Sequence, residues 1–276
     1  MARLYINFHQ TFIPERRYIT ALLKYAAGDN QGTDQEISSA TGIPVGQSSG
    51  KVPAILNYSA GMGLIGVEKG ENTGQRHPIL TDFGRIVLLE DVSLSEPFTQ
   101  WLSHLHLCRI VGGAEVWYQV FGPGRDVLGM EFLESEIDDY LNNILGKKSK
   151  SHVGPLVRTY EEQAAFKDSE ILRRKDLNII RSHAPVLDGF VPGYSAFLLS
   201  LWETHFSEER QVTLSDFENE IFFQRICGWT EHQFETIIEM MQIAGVIDVD
   251  RQMRPWVITR KSDASTHWRG LYDKLA

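Results

Sequence analysis

The sequence predicts a mainly helical protein with a minor β component. Two winged-helix-like modules, 1–92 and 191–276, flank a helical middle domain, 93–190. Three observations predict it. Each terminal stretch reads as helix, helix, helix, hairpin. In both, the third helix ends at an Ala/Met-Gly step, and apolar residues, a turn and more apolar residues follow. The stretch between them carries apolar residues at helical spacing.

In the first module, Arg16 to Ala27 is apolar at Ile19, Leu22, Leu23 and Ala26, which lines one helical face. Thr33 stands where an N-cap belongs, with Glu36 at capping-box spacing, and opens a second helix. Gly42-Ile43-Pro44 is a turn, and a third helix is expected from about Ser49 to Met62. Leu64 to Val67 and Pro78 to Leu80 are expected to pair across the polar loop Lys69 to His77. In a helix-turn-helix the later helix enters the major groove. Gln47, Ser48, Ser49, Lys51 and Asn57 are therefore expected against DNA, flanked by Arg17, Lys69 and Arg76.

The middle domain opens at Ser95-Glu96-Pro97, with proline in the first helical turn. Ala114 to Phe121 reads as a short aromatic helix, and Met130 to Leu145 as an amphipathic one. The outer face of the latter, Glu131, Glu134, Glu136, Asp138 and Asp139, reads as solvated, and no metal-ligand set is predicted. Lys147 to His152 reads as a basic solvated loop. In the last module, Ala196 to Phe206 and Thr213 to about Ile226 read as helices, and Thr230 caps a third with Gln233 at the box position. Val246 to Val249 and Trp256 to Thr259 read as its hairpin.

The formal charge is −9, unevenly spread. Residues 1–90 are neutral, 91–145 carry −7, 146–193 carry +3 and 194–276 carry −5. The first module is thus the better DNA surface. The last offers an acidic ridge, Glu231, Glu235 and Glu239, suited to a protein partner. Cys108 and Cys227 are expected as buried reduced thiols. Without a long apolar run or a leader-like segment, a cytoplasmic protein with no membrane partner is expected.

The opening His9-Gln10-Thr11-Phe12 with Arg16, then Gly63-Leu64-Ile65, Leu80-Thr81-Asp82-Phe83-Gly84, Trp101 to Leu107, Trp117 to Phe121 and Val157 to Tyr160 form an ordered series. In that series the chain resembles a bacterial family encoded in DNA-phosphorothioation and related defence operons, of the SspB-like DNA nickase type. It departs from the family's opening motif at Phe8 and Gln10. The resemblance implies a DNA-binding component of a sulfur-modification system that nicks one strand to allow sulfur insertion. It implies partners that include a cysteine desulfurase and an ATP-dependent sulfurtransferase. A homodimer and a divalent metal such as magnesium are compatible with it.

Nicking needs proton transfer and stabilisation of charge on phosphorus oxygens. The opening motif offers His9 as acid/base, Thr11 as hydroxyl and Arg16 as phosphate clamp, close to the first helix N-terminus. A structural role fits the same residues: His9 and Thr11 as caps, Arg16 paired with a carboxylate. Two functions stay open, a strand-nicking endonuclease and a non-catalytic winged-helix adaptor or regulator that presents DNA to a sulfurtransferase complex.

Overall fold

The computed structural model describes residues 2–46, 50–146 and 152–274. The chain forms two compact units, Met1–Ser182 and His183–Ala276. It is mainly α with small antiparallel sheets. No helix among the described residues is long and apolar enough to cross a membrane.

The first unit begins with α1 (Arg16–Ala27), α2 (Asp34–Thr41), α3 (Lys51–Gly61) and the hairpin β1 (Ile65–Lys69) and β2 (Arg76–Leu80). Ile19, Leu22, Leu23 and Ala26 are the buried residues of α1, as the periodicity predicts. The Thr33 side chain accepts from the Glu36 N–H, and the Glu36 carboxylate accepts from the Thr33 N–H, so the predicted capping box closes. The hairpin pairs Ile65 with Leu80 through to Lys69 with Arg76, so both strands reach further than the sequence suggests and the loop is 70–75.

Next come α4 (Asp82–Glu90), α5 (Pro97–Cys108), α6 (Glu115–Phe121) and α7 (Arg125–Leu128). Then follow β3 (Glu131–Leu133), α8 (Glu134–Leu145), α9 (Val153–Glu161), β4 (Leu172–Lys175) and β5 (Asn178–Arg181). The expected helix from Met130 thus starts as a strand. Glu131 to Leu133 pairs with β5, and the Glu136 carboxylate then accepts the Leu133 N–H to start α8. The three strands are ordered β3-β5-β4, a sheet inside a stretch that reads as helical.

Three of the stretches that carry the family resemblance interlock. The Thr81 hydroxyl donates to the Gly63 carbonyl at 2.6 Å and caps α4 by accepting the Gly84 N–H. A Cβ on Gly84 would stand 1.9 Å from the Leu64 carbonyl oxygen, so only glycine admits this approach. Phe83 stacks on His106 of α5, centroids 5.4 Å apart.

The second unit holds α10 (Val191–His205), β6 (Gln211–Thr213), α11 (Leu214–Ile221), α12 (Phe223–Cys227), α13 (Glu231–Ile243), β7 (Ile247–Asp250), β8 (Val257–Arg260) and α14 (Ala264–Arg269). The expected helix to Ile226 breaks at Phe222, whose φ is 59°. The Glu218 carboxylate accepts the backbone N–H groups of Gln224 and Arg225 across the break. The Thr230–Gln233 capping box forms. The predicted hairpin, β7 with β8, gains β6 as a third strand. Cys108 and Cys227 are buried and form no disulfide.

Candidate functional site

The chain ahead of α1 is threaded through the first unit. Leu4 bridges Ala114 at the start of α6, its N–H bonded to the Gly113 carbonyl at 2.7 Å. Phe8 is fully buried, edge-on to Tyr58 of α3 at 4.8 Å and 5.8 Å from Trp117. The Tyr58 hydroxyl donates to the Phe12 carbonyl at 3.0 Å. Between these anchors the backbone turns sharply. The φ angles of Gln10 and Thr11 are 47° and 71°, both left-handed. For a β-branched threonine this is a strained conformation, costing about 1–3 kcal/mol.

His9 holds the turn. Its Nδ1 accepts the Thr11 N–H at 3.0 Å. The neutral ring therefore carries its proton on Nε2, which is buried without a hydrogen-bond partner among the described residues. The side chain is 1% exposed, and its ring lies edge-on to His152 at 6.2 Å. Burial first, and the His152 charge second, lower its pKa to about 4. The imidazole is neutral at pH 7. Thr11 itself is exposed. Neither residue caps α1, whose N-cap is Glu15. Three residues of extended chain and turn separate Thr11 from that cap.

Glu15 organises the cations beyond the turn. Its carboxylate binds the Lys51 ammonium through one oxygen and the Arg17 guanidinium, at 2.8 Å, through the other. Lys51 also lies over the rings of Phe12, 5.1 Å, and Tyr18, 4.9 Å. Arg17 stacks on Tyr18 at 4.4 Å but leaves 70% of its side chain in solvent. Phe12 joins this cluster to the His9 turn, since its N–H donates to the His9 carbonyl at 2.8 Å. Arg16 points elsewhere. Its guanidinium donates to the carbonyls of Leu94 and Gln163 and pairs with Asp168 at 3.5 Å.

The remaining predicted contacts are spread over the module. Asn57 is half-buried on α3. Lys69 is exposed, and Arg76 stands opposite it in the hairpin, 3.4 Å from Asp34. Gln47, Ser48 and Ser49 lie outside the described residues, as do Lys147 to Ser151 of the basic run. The structure therefore brings His9 and Thr11 together, and Arg17 and Lys51 together. It directs Arg16 into the protein's own backbone.

His152, read from sequence as the end of a solvated loop, is 3% exposed and faces His9. Its neighbours Val153, Leu156 and Val157, buried on α9, were the available signal. A second buried group surrounds Tyr160. Its hydroxyl accepts the Trp117 indole N–H at 2.8 Å and shares a 2.6 Å hydrogen bond with His104 Nδ1. Burial, and then Arg181, lower His104 to about 3. Burial pushes the adjacent Cys108 thiol up, away from the reactive thiolate.

Magnesium takes oxygen ligands in octahedral geometry, commonly one or two carboxylates with waters. The Glu15 carboxylate beside the turn is committed to two cations. Among the described residues no group of three or more His, Cys, Asp or Glu is disposed around a metal position. The His9 cluster does not fit magnesium.

This architecture is shared with solved proteins. The chain is similar to the magnesium ion-bound crystal structure of SspB, with TM-score 0.71 and 15% identity over 99% of this chain and 88% of that one. A further SspB crystal structure gives TM-score 0.68 and 13% identity with the same coverage. No family model and no curated protein matches the sequence. The class defined is a mainly helical, two-unit fold. The fold is SspB-like from end to end.

Proposed function

We propose that this chain is a DNA-binding component of a bacterial phosphorothioation system and that it nicks one strand to allow sulfur insertion. The observation that carries the reading is the end-to-end SspB-like fold, reached at an identity of 15% or less. The resemblance in sequence points the same way. We read 1–92 and 191–276 as winged-helix-like modules around a middle domain, 93–190. In the first, α3 and the β1–β2 hairpin face DNA, with Lys69 and Arg17 as phosphate contacts. Their exposure supports this.

At the reacting phosphodiester, water attacks phosphorus as the bond to the leaving oxygen breaks, negative charge grows on the non-bridging oxygens, and the proton shed by the water ends on the leaving oxygen. Lys51 and Arg17, exchanging Glu15 for phosphate, stabilise that charge. His9 offers a neutral Nε2–H as donor, and Thr11 an exposed hydroxyl at a strained turn. A cysteine desulfurase and an ATP-dependent sulfurtransferase are the partners of this reading, in the cytoplasm, with the protein acting as a homodimer on paired sites.

The second reading is a non-catalytic adaptor. It is favoured by His9 being 1% exposed and by Arg16 being spent on backbone carbonyls. A plasmid-relaxation assay with and without magnesium separates the two. Nicked circles accumulate if the chain cleaves. Retarded but intact supercoiled plasmid marks an adaptor.

A further inference from the structure

The acidic helix α13 borders a groove of about 680 Å³ in the second unit. Leu214 at the start of α11, Phe234 on α13 and Trp256 ahead of β8 give it an apolar floor. Glu231 and Glu235, one helical turn apart, rim it. Glu218 also lines the groove, but its oxygens serve the backbone at the Phe222 break. Neither Glu231 nor Glu235 is engaged by an ion pair or a side-chain hydrogen bond among the described residues. Arg254, which also lines the groove, lies over the Trp256 ring at 5.4 Å instead. Arg251 lies 5.2 Å from the same ring.

The groove thus presents two unengaged carboxylates, Glu231 and Glu235, beside an apolar lining that includes the Trp256 indole. Such a surface repels phosphate. It suits a cation with an apolar neighbour, through charge complementarity, cation–π contact and burial. The volume is that of a pocket holding several side chains. We infer that this groove docks a basic segment of a partner protein. A lysine or arginine head sits between Glu231 and Glu235, and an adjacent apolar side chain rests on Leu214, Phe234 and Trp256. The inference concerns the second unit alone and stands whether or not the first unit cleaves DNA.

The test uses the full chain and three probes: the peptide acetyl-Gly-Arg-Leu-Lys-Leu-Arg-Gly-amide, its counterpart with glutamate at every cation, and a short duplex DNA. Titration calorimetry is read beside the Trp256 indole N–H resonance. The basic peptide binds and shifts that resonance, and the acidic peptide does neither. Glu231→Gln with Glu235→Gln weakens the basic peptide about tenfold or more. Glu239→Gln, on the same helix outside the groove lining, changes it less than about twofold. Trp256→Ala, with its melting curve recorded, also weakens it. Three results overturn the inference: no binding of the basic peptide, equal affinity in the double variant and Glu239→Gln, or a Trp256 shift produced by duplex DNA instead of the peptide.

Discussion

Thr11 donates its backbone N–H to Nδ1 of His9 at 3.0 Å while holding a left-handed φ of 71°. The side chain that sequence offers as a proton carrier is thus also the prop of a strained turn. His9→Ala removes the acceptor and empties a buried site, and is expected to cost about 1–3 kcal/mol of stability. Thr11→Gly relieves the left-handed strain and leaves the midpoint unchanged or raised. Melting curves of both variants check this pair. A His9→Ala midpoint equal to wild type contradicts the propping role.

Acid should unfold the first unit through His9. In the unfolded chain its pKa is near 6.5, and in the folded protein it is about 4. Between those values the unfolded chain holds more protons, so stability is complete above pH 6.5 and falls as pH drops towards 4. The loss from His9 alone is about 3 kcal/mol. His104, lowered to about 3, adds to the same slope. His9→Asn keeps an acceptor for Thr11 without titrating there, so it flattens part of the slope. Denaturant titrations across this pH range measure it, and identical slopes for both proteins refute the assignment.

Arg16 ties the start of α1 to Leu94, Gln163 and Asp168. Arg16→Ala takes the guanidinium from the Gln163 carbonyl and from Asp168, whereas the Leu94 carbonyl keeps the Gln100 side-chain amide as donor, and the change is expected to cost about 1 kcal/mol. Affinity for DNA per folded molecule should stay near wild type. Gel-shift titrations normalised to folded protein decide this. A tenfold loss of affinity with an unchanged midpoint assigns Arg16 to phosphate instead.

Lys69 and Arg17 are exposed, Arg17 although one edge pairs with Glu15, whereas the Lys51 ammonium is largely buried against that carboxylate. Arg17→Ala with Lys69→Ala should weaken DNA binding about tenfold at moderate salt and reduce the salt slope by about two. The midpoint should barely move. Lys51→Ala should lower the midpoint as well, because it strips a largely buried carboxylate of one partner. Unchanged affinity in the double variant removes this face from the interface.

Much of the fold was legible because it rests on local chemistry. The capping boxes at Thr33 and Thr230, the apolar face of α1 and the glycine exits at Gly63 and Gly245 each act within a few residues. What was missed depends on distant partners. Glu131 to Leu133 is too short to show periodicity and becomes a strand only because β5 lies beside it. Arg173, Arg174 and Lys175 of β4 look like a solvated run, yet they pair with β5. Phe222 in a left-handed conformation breaks a helix that propensity would continue. The start of α4 is itself local: Thr81 before Asp82 caps it by accepting the Gly84 N–H. At the candidate site the residue types were legible, but their pairing was not. Glu15 holds both Lys51 and Arg17, and the Lys51 partner lies 36 residues away, beyond the reach of local pattern.

The most direct measurement is relaxation of supercoiled plasmid by the purified chain, run beside its Arg17→Ala/Lys69→Ala variant and beside a binding assay on the same samples. Wild type should yield open circles, and the equally stable variant far fewer. Plasmid that remains supercoiled with and without magnesium, while wild type still retards it, contradicts the nicking claim and leaves an adaptor. Plasmid that is neither nicked nor bound contradicts the DNA-binding claim itself.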